Sequence, residues 1–389
     1  MFNMFVPTRI IFGSGRINEL HSQNLPGKKA LLTISNGKSA RESGALAKVE
    51  SELTHAGAEY AVFDKIMANP LRSTVMEGAN AAKENECDFI IALGGGSVMD
   101  ASKGIAAMAT NDGDIWDYIS GGTGGGKPLV NAPLPLIAIT TTAGTGSEVD
   151  QWGVISNEVT NETIRFGGYE FLLQKIAIVD PELMLSVPSK FTAYQGFDAL
   201  FHSVECYISS AANLMSDMYA LSAIENIGKY LARAVKDGSD LEAREHVAFA
   251  NTLSGVVMTI SGCTSEHSME HAMSAYHQEL PHGAGLIMIS KEYYTHFINK
   301  NVCPERFIRM AQALGLKDAD KPMDFITALT QLQKECAVDD LKMSEYGIQS
   351  SEFMSMAKNA RETMGGLFMC DRVPLSDQEC AAIYEKSFK

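Results

Sequence analysis

The sequence predicts an α/β amino-terminal domain with a parallel sheet, followed by an all-helical carboxyl-terminal domain. A chain of 389 residues is too long for a single domain with one hydrophobic core, so two domains are expected. The first half alternates short apolar runs with helical patterns, whereas the chain after Pro188 repeats its apolar residues at helical spacing. We therefore predict the α/β domain at residues 1–187 and the helical domain at residues 188–389.

Five apolar runs in the first half have the continuous apolar character of strands that are buried on both faces. The predicted strands are Lys28–Ser35, Glu59–Phe63, Cys87–Gly96 (running into a glycine loop), Leu134–Thr142 and Lys175–Pro181. Helical periodicity is present over Ser39–Ala56, Ser73–Asn85 and Val98–Ala109. This alternation of strands and helices predicts a parallel sheet with helices on both faces.

The second half, from Phe191 onward, is rich in alanine, leucine, methionine and serine at helical spacing. The predicted helices are Asn213–Lys236, Leu241–Ile260, Ser265–Tyr276, Pro304–Leu314, Pro322–Glu335 and Ser351–Ala360. A last helix should begin at Ser376, because Ser376–Glu379 reads SDQE, the signature of a capping box. The second domain is therefore expected to be built from helices alone.

Charge and composition exclude several classes of protein. A net charge of −15 argues against binding to nucleic acid or to an anionic membrane surface. No apolar run reaches the roughly 18 residues of a membrane span, and the amino terminus lacks the pattern of a signal peptide. The seven cysteines are scattered, which is typical of reduced thiols. We therefore expect a cytoplasmic protein.

Histidines are concentrated in one segment, Cys263–Leu286, which holds four of the nine in the chain. They are His267, His271, His277 and His282. A spacing of four residues places His267 and His271 on one face of a helix, and Asp198 and His202 have the same spacing. One carboxylate and several imidazoles, presented from two helices and a loop, indicate a divalent metal site. The alternative is a set of ordinary polar residues on helix faces.

Two glycine-rich turns lie at the ends of predicted strands, at Gly94–Ser97 and within Thr140–Glu148. Without Cβ atoms the backbone can approach a pyrophosphate, and the N–H groups of a following helix attract its charge. Ligands of such sheets bind at the carboxyl ends of the strands, so the pair of turns indicates nucleotide binding. A third glycine-rich segment, Gly121–Lys127, precedes a proline-rich stretch and is expected to be a flexible surface loop.

These segments together resemble the iron-containing (group III) alcohol dehydrogenases from end to end. The matching motifs are PTRIIFGSG (Pro7–Gly15), ANP (Ala68–Pro70), GGGSVMDASK (Gly94–Lys103), TTAGTGSE (Thr141–Glu148), GFDALFH (Gly196–His202) and LPHGAGL (Leu280–Leu286). The sequence HSMEHAMSAY (His267–Tyr276) resembles most the branch with butanol dehydrogenases and broad aldehyde reductases. The resemblance implies the dehydroquinate synthase-like fold, with a dinucleotide-binding domain and a helical metal-binding domain.

The resemblance also implies the identity of the metal-site residues. By motif match the implied ligands are Asp198, His202, His267 and His282. The family favours Fe(II), while the same donors also suit Zn(II). His271 matches a histidine close to the substrate and the nicotinamide, and we expect it to transfer the proton. His277 has no family counterpart and could compete as a ligand. Glu266 and Glu270 are expected to be exposed on a helix face rather than to orient the imidazoles.

On the cofactor side, the resemblance assigns residues of three regions. The implied contacts are Gly95, Gly96, Ser97 and Asp100 at the pyrophosphate, Thr140, Thr141 and Thr145 in the second turn, and Asn69 near a ribose. NAD-preferring members carry an aspartate where this chain has Ser35, with Lys38 close by, so NADP is expected over NAD. Arg165 stands where many members have a lysine near the cofactor.

The implied activity is metal-dependent hydride transfer between NAD(P)(H) and a small primary alcohol or aldehyde. Met258, Cys263 and Phe368 are candidates to line a fairly apolar substrate pocket. Members often dimerise through the amino terminus, so we expect a homodimer in which Met1–Phe12 joins a partner's sheet. The alternatives are a polyol dehydrogenase of the glycerol type, a lyase like dehydroquinate synthase, and a metal-binding protein without catalysis. The scarcity of lysine and arginine around the metal motifs disfavours the lyase.

Overall fold

The computed structural model describes residues 2–389, which divide into two compact units. The α/β unit consists of Phe5–Thr142 and Gly146–Ser186. The helical unit consists of Val187–Lys389, together with residues 2–4 and Ala143–Thr145. An α/β unit with a parallel sheet and a separate helical unit are the two parts of the predicted fold class, which is confirmed.

The α/β unit is built on a parallel sheet of six strands among the described residues. Its strands are β1 (Arg9–Phe12), β2 (Lys29–Ser35), β3 (Glu59–Ile66), β4 (Phe89–Gly94), β5 (Leu136–Thr140) and β8 (Ile176–Val179), in the spatial order β1-β8-β5-β4-β2-β3. Ile90 packs into one hydrophobic core and Ile91 into the other, as expected when successive side chains point to opposite faces. Both faces of the sheet are therefore buried, which explains the continuous apolar runs.

The helices of this unit are α1 (Ser39–Glu42), α2 (Ala45–His55), α3 (Arg72–Glu84) and α4 (Gly96–Met108). The predicted helix Ser39–Ala56 is interrupted at Gly44, whose φ of 77° lies in the left-handed region that favours glycine. Two elements were not predicted from the sequence: the short edge strand β1, and an antiparallel hairpin of β6 (Trp152–Asn157) and β7 (Glu162–Gly167).

β1 corrects part of the expectation for the amino terminus. Arg9–Phe12 pairs in parallel with Ile176–Val179 of the chain's own sheet, where it forms an edge. Met1 lies outside the described residues. The glycine-rich segment Gly121–Lys127 forms a loop, as predicted, but backbone hydrogen bonds tie it to the short 3-10 turn before it. Gly125 N–H donates to the Trp116 carbonyl at 2.9 Å.

The helical unit contains all of the helices predicted for the second half; Leu241–Ile260 and Ser265–Tyr276 have the predicted bounds, and the others have shifted ends. Its helices are α5 (Ser189–Ile208), α6 (Leu214–Lys236), α7 (Leu241–Ile260), α8 (Ser265–Tyr276), α9 (His282–Asn299), α10 (Pro304–Ala313), α11 (Asp324–Glu335), α12 (Phe353–Phe368) and α13 (Asp377–Ser387). The capping box at Ser376 is confirmed, because Ser376 N–H donates to Glu379 Oε2 at 2.8 Å and Glu379 N–H donates back to Ser376 Oγ at 3.3 Å.

α9 packs against both α5 and α8, and these three helices hold the predicted metal-site residues. Gly283 lets α9 approach α5 so closely that a Cβ there would overlap the Tyr194 backbone. α8 follows α7 after a bend of 106°. Within residues 2–389, no single helix is both long and apolar enough to cross a membrane, and only this bent pair passes that test when joined.

Candidate metal centre and nucleotide turns

The predicted metal-site residues come from three helices of the helical unit. Asp198 and His202 lie one turn apart on α5, His267 and His271 lie one turn apart on α8, and His282 is the first residue of α9. The expected source of two helices and a loop is therefore corrected to three helices. All five side chains are largely buried, with His282 the most exposed.

Asp198 Oδ1 is the centre of this cluster. It lies 3.3 Å from His202 Nδ1, 3.5 Å from His267 Nε2 and 3.6 Å from His282 Nε2. Two ligands bound about 2.1 Å from a tetrahedral ion lie about 3.4 Å apart. The three distances match that separation, and the ligand atoms of Asp198, His267 and His282 also lie within 4.8 Å of one another, so these three residues fit one divalent ion. Among the described residues, His202 Nδ1 is buried without a hydrogen-bond partner, as expected of an atom that awaits a ligand.

The ligand atoms fall into three overlapping triads, and within each triad all atoms lie within 4.8 Å of one another. The triads are Asp198–His267–His282, His202–Cys263–His267 and Glu270–His271–His282. The first contains three of the four implied ligands. The second joins the fourth, His202, to His267 and adds a thiol that the sequence did not suggest as a ligand.

Two buried glutamates orient the imidazoles of the cluster. Glu205 accepts a short hydrogen bond from His267 Nδ1, and Glu270 Oε2 forms a close ion pair with His282 Nδ1. A protonated Nδ1 leaves the lone pair on Nε2, the atom that faces Asp198 in both histidines. Glu205 follows Asp198 by seven residues, so it shares the helix face of Asp198 and His202. That spacing was the signal that could have identified it.

The prediction of exposed Glu266 and Glu270 is wrong, because both side chains are 0 % exposed. Glu270 also accepts from Ser274 Oγ at 2.6 Å, and Glu266 accepts a hydrogen bond from the Tyr294 hydroxyl. Burial and the nearby Glu205 charge raise the pKa of Glu266 well above its usual value. The helical pattern could not reveal that α8 is buried on all sides.

The pKa values of the histidines in the cluster are shifted in opposite directions. Burial lowers the pKa of His202 to about 3, so its imidazole is neutral. Burial also acts to lower the pKa of His267 and His282, but the carboxylates of Glu205 and Glu270 outweigh it and raise both. Asp198 is held ionised, because three neighbouring imidazoles outweigh the effect of its burial and lower its pKa. A divalent cation would replace the protons on His267 and His282.

His271 and His277 have different surroundings. The His271 ring stacks on His282 at a centroid distance of 4.8 Å, and burial lowers its pKa well below the usual value. His277 is outside every triad of the described residues, and its Nε2 lies 3.1 Å from Glu352 Oε2. The structure therefore brings His271 to the cluster and places His277 in a pair of its own.

The first glycine turn joins β4 directly to α4. Gly94 ends the strand, Gly95 precedes the helix, and no side chain of the described residues caps this helix start. A Cβ on Gly95 would lie 2.9 Å from the Thr142 side chain, so the position needs glycine. The uncapped N–H groups and the absence of Cβ atoms are what an approaching pyrophosphate requires.

Most of the predicted cofactor residues follow the carboxyl ends of adjacent parallel strands. Ser35 ends β2 and Lys38 follows it, Asn69 follows β3, Gly95, Gly96 and Ser97 follow β4, and Thr140 and Thr141 are at the end of β5. The chain order reverses between β2 and β4, which are neighbours in the sheet. Sheets of this kind bind nucleotides at such a switch point. Thr145 belongs to the helical unit, and the Arg165 guanidinium lies 4.0 Å above the Trp152 ring.

Asp100, which the resemblance implied at the pyrophosphate, has hydrogen-bond partners within the α/β unit. One carboxylate oxygen accepts from Ser147 Oγ at 2.6 Å, and the other accepts from the Val154 N–H at 2.9 Å. Its neighbour Lys103 is 0 % exposed and donates to Asp150 Oδ1 at 2.6 Å. Both oxygens of Asp100 therefore accept a hydrogen bond from the protein, and the contact of Asp100 with a pyrophosphate stays a prediction.

This chain is similar to known proteins over nearly its whole length. Residues 7–181 match the family described as iron-containing alcohol dehydrogenase, and residues 192–388 match the carboxyl-terminal domain of the Fe-containing alcohol dehydrogenase family. A 1,3-propanediol dehydrogenase of Klebsiella pneumoniae is 34 % identical over 100 % of this chain and 99 % of its own.

Solved structures give the same result. An archaeal halo-thermophilic alcohol dehydrogenase from a Red Sea brine pool has a TM-score of 0.95 and 34 % identity, covering 100 % of this chain and 99 % of that chain. An NADH-dependent butanol dehydrogenase of Thermotoga maritima has a TM-score of 0.89 and 26 % identity, with coverage of 100 % and 99 %. The chain therefore belongs to the iron-containing alcohol dehydrogenases, a family of metal-dependent alcohol oxidoreductases.

Proposed function

We propose that the protein transfers hydride between a nicotinamide nucleotide and a small primary alcohol or the corresponding aldehyde. The observation that carries the proposal is the position of Asp198 Oδ1, which lies 3.3 to 3.6 Å from nitrogens of three imidazoles. Relatives named for 1,3-propanediol and butanol support the substrate class, because both compounds are primary alcohols.

The residues that would hold the metal are Asp198, His202, His267 and His282. A bound divalent ion supplies Lewis acidity, which polarises the oxygen of the alcohol or aldehyde. Glu205 and Glu270 hold the tautomers in which Nε2 of His267 and His282 faces Asp198. The family favours Fe(II), and the donor set of one oxygen and three nitrogens also fits Zn(II).

His271 is the residue that we assign to proton transfer. Its low pKa keeps the imidazole neutral near pH 7, so a ring nitrogen can accept the proton that an alcohol loses on oxidation. Its ring stacks on His282, a proposed metal ligand, and this contact supports a role for His271 next to the substrate. In the reverse direction, the same nitrogen returns the proton to the product alcohol.

The nicotinamide nucleotide, which accepts or gives the hydride, would bind at the carboxyl ends of β2 to β5. The turn at Gly95, Gly96 and Ser97 would receive the pyrophosphate. We propose NADP over NAD, because Ser35 and Lys38 at the end of β2 offer a hydroxyl and a cation instead of a carboxylate. Comparing kcat/KM for NADPH and NADH tests this preference, and a higher value with NADH contradicts it.

Replacing His267 by alanine tests the metal assignment. The variant should lose its bound metal and its turnover, because His267 belongs to two of the three triads. His277→Ala is the matched control, since His277 pairs with Glu352 and should be dispensable for both properties. Metal content by mass spectrometry and oxidation of NADPH or NADH with butyraldehyde are the measurements. Activity at the wild-type level in His267→Ala would contradict the assignment of His267 as a metal ligand.

A diol is the second candidate substrate. It is favoured by the 34 % identity to a 1,3-propanediol dehydrogenase over the full length of this chain. A panel of 1-propanol, 1-butanol, 1,3-propanediol and glycerol, ranked by kcat/KM, distinguishes monoalcohols from diols and polyols. A nucleotide complex that turns over none of these compounds, or their aldehydes, would instead favour a lyase or a protein that only binds metal.

Two further properties belong to the proposal. We propose a homodimer, because β1 is an edge strand and Ile10 within it is 40 % exposed. We propose a cytoplasmic location, because the seven cysteines form no disulfide among the described residues. Light scattering of the purified protein tests the first, and cell fractionation tests the second.

A further inference from the structure

We propose that Cys263 creates a second, thiol-containing metal position with His202 and His267, and that this position takes a thiophilic divalent ion such as Zn(II) or Co(II). The ligand atoms of these three residues lie within 4.8 Å of one another. The inference rests on the proposed function insofar as His202 and His267 are also proposed ligands of the Asp198-centred site. It differs in adding sulfur to the donors.

The position of Cys263 follows from the helix arrangement. It lies in the four-residue connection between α7 and α8, four residues before His267, and it is only 7 % exposed. Cys206 is one turn after His202 on α5, and the two Sγ atoms are 3.9 Å apart. The bend after α7 therefore brings one thiol to the imidazoles, with a second thiol behind it.

His202 gives an independent indication of a ligand. Its side chain is more than nine-tenths buried, and its Nδ1 has no hydrogen-bond partner within residues 2–389. A buried polar atom without a partner is costly unless an ion or a water satisfies it. His267 is prepared in the same way, because Glu205 occupies its Nδ1 and leaves the lone pair on Nε2.

The donor set decides which ions would prefer this position. Thiolate and imidazole together select softer ions, such as Zn(II), over ions that favour oxygen donors. When the ion binds, the Cys263 S–H bond breaks, a metal–sulfur bond forms, and the proton is released to solvent. No electron is transferred. Asp198 and His282 are not needed for this position, since neither belongs to its triad.

The two positions share His202 and His267 and therefore exclude each other. His267 belongs both to the thiol triad and to the Asp198–His267–His282 triad, and its single free nitrogen can bind only one ion. A thiophilic ion held by Cys263 would therefore withdraw His267 from the Asp198-centred site. The protein would then carry metal but turn over slowly, and removal of the thiol would relieve the inhibition.

Cobalt(II) reports the proposed metal–sulfur bond directly, because a thiolate ligand produces an intense near-ultraviolet charge-transfer band that oxygen and nitrogen ligands do not. The full-length protein is stripped of metal with a chelator and titrated with Co(II). Wild-type protein should show the band. Cys263→Ser should lose it while still binding cobalt, and Cys336→Ser, which removes a buried thiol outside the triad, should keep it. Circular dichroism verifies folding, and Cys263→Ala replaces the serine variant if that one fails to fold.

Asp198→Asn separates this inference from the proposed function. This variant should keep the sulfur band, because Asp198 is outside the thiol triad, but it should lose turnover. Wild-type protein that binds cobalt without a sulfur band overturns the inference and leaves the proposed function intact. Persistence of the band in Cys263→Ser also overturns it. A band that disappears only in Cys206→Ser would assign the bond to the wrong thiol and would equally contradict the proposal.

Discussion

Each compact unit contains a buried cluster of charged side chains. The two clusters differ in how many of their polar atoms have hydrogen-bond partners within the protein. In the α/β unit, Lys103 Nζ donates to Ser147 Oγ at 2.7 Å, to Asp150 Oδ1 at 2.6 Å and to the Trp152 carbonyl. In the helical unit, Asp198 Oδ1 lies 3.3 Å or more from each of the nearest imidazole nitrogens.

The difference separates a structural cluster from a binding site. Lysine has three donor hydrogens, and Lys103 has a protein acceptor for each of them. Nothing further is needed to offset the cost of burying its charge. The imidazoles around Asp198 instead leave an atom of His202 without a partner in the described chain. We call the Lys103 cluster closed and the Asp198 cluster open. A closed cluster should contribute to the stability of the fold, whereas an open one should contribute to metal binding.

The largest effect on stability is expected from Lys103→Met. The substitution leaves the carboxylates of Asp100 and Asp150 buried without their cation, and losing one partner of a buried pair costs about 3–5 kcal/mol. Chemical denaturation measures the change in the free energy of unfolding. Lys65→Met is the control, because both side chains of the Lys65–Glu77 pair are more than half exposed and an exposed ion pair contributes little to stability. Equal losses in the two variants would contradict the closed-cluster interpretation.

Asp100 should make stability depend on pH. Burial raises its pKa from 3.8 to about 6, although Lys103 opposes the shift. The folded state therefore holds a proton that the unfolded state has released, and this contribution to stability is lost as the pH rises from about 4 through about 6. The loss should reach up to about 3 kcal/mol.

Asp100→Asn removes this titration. The free energy of unfolding, measured from about pH 4 to about pH 7, should fall less steeply with pH in the variant than in the wild-type protein. The difference between the two curves isolates Asp100 from the other titrating groups. Parallel curves would show that the Asp100 carboxyl has an ordinary pKa in the folded protein.

Glu205→Gln probes the open cluster in the same way. The glutamine should orient His267 less well, and the loss of such an outer partner lowers metal affinity by about 10–100-fold. Glu52→Gln is the matched control, because Glu52 Oε2 accepts from His21 Nδ1 at 2.7 Å in a histidine–glutamate pair of the α/β unit. Competition with a chromogenic chelator measures the affinity. If Glu205→Gln lowers the free energy of unfolding but leaves metal affinity unchanged, Glu205 serves the fold and not the metal site, which would contradict the interpretation of an open cluster.

The sequence predicts the elements of the fold better than the division between these clusters. β4, the glycine turn and α4 are local features, since a continuous apolar run, three glycines and a helical pattern follow one another. β1 has four residues, and the β6–β7 hairpin has no strong alternation, so both depend on packing that periodicity does not record. His282 was expected in a loop, although Pro281 immediately before it is a signal for a helix start.

The candidate site shows the same limit. The spacing within α5 and α8 predicts which ligand residues share a face, and the structure brings Asp198, His202, His267 and His282 together. The roles of Glu270 and Asp100 could not be predicted, because both depend on burial by distant segments. Ser147 and Val154, which satisfy Asp100, are 47 and 54 residues away from it in the sequence.

Two serines provide the smallest and most closely matched comparison. Ser147 Oγ donates to Asp100 Oδ1 and accepts from Lys103 in the closed cluster, while Ser274 Oγ donates to Glu270 in the open one. Ser147→Ala leaves two charged groups short of a partner and should cost about 1–3 kcal/mol in the free energy of unfolding. Ser274→Ala should cost about 0.5–1.5 kcal/mol, since Glu270 keeps its ion pair with His282, and it should weaken metal binding by less than about tenfold. Denaturation and chelator competition are measured on both variants. If Ser147→Ala weakens metal binding as much as Ser274→Ala does, the two clusters are not energetically separate, because a group that serves only the fold should leave the affinity unchanged.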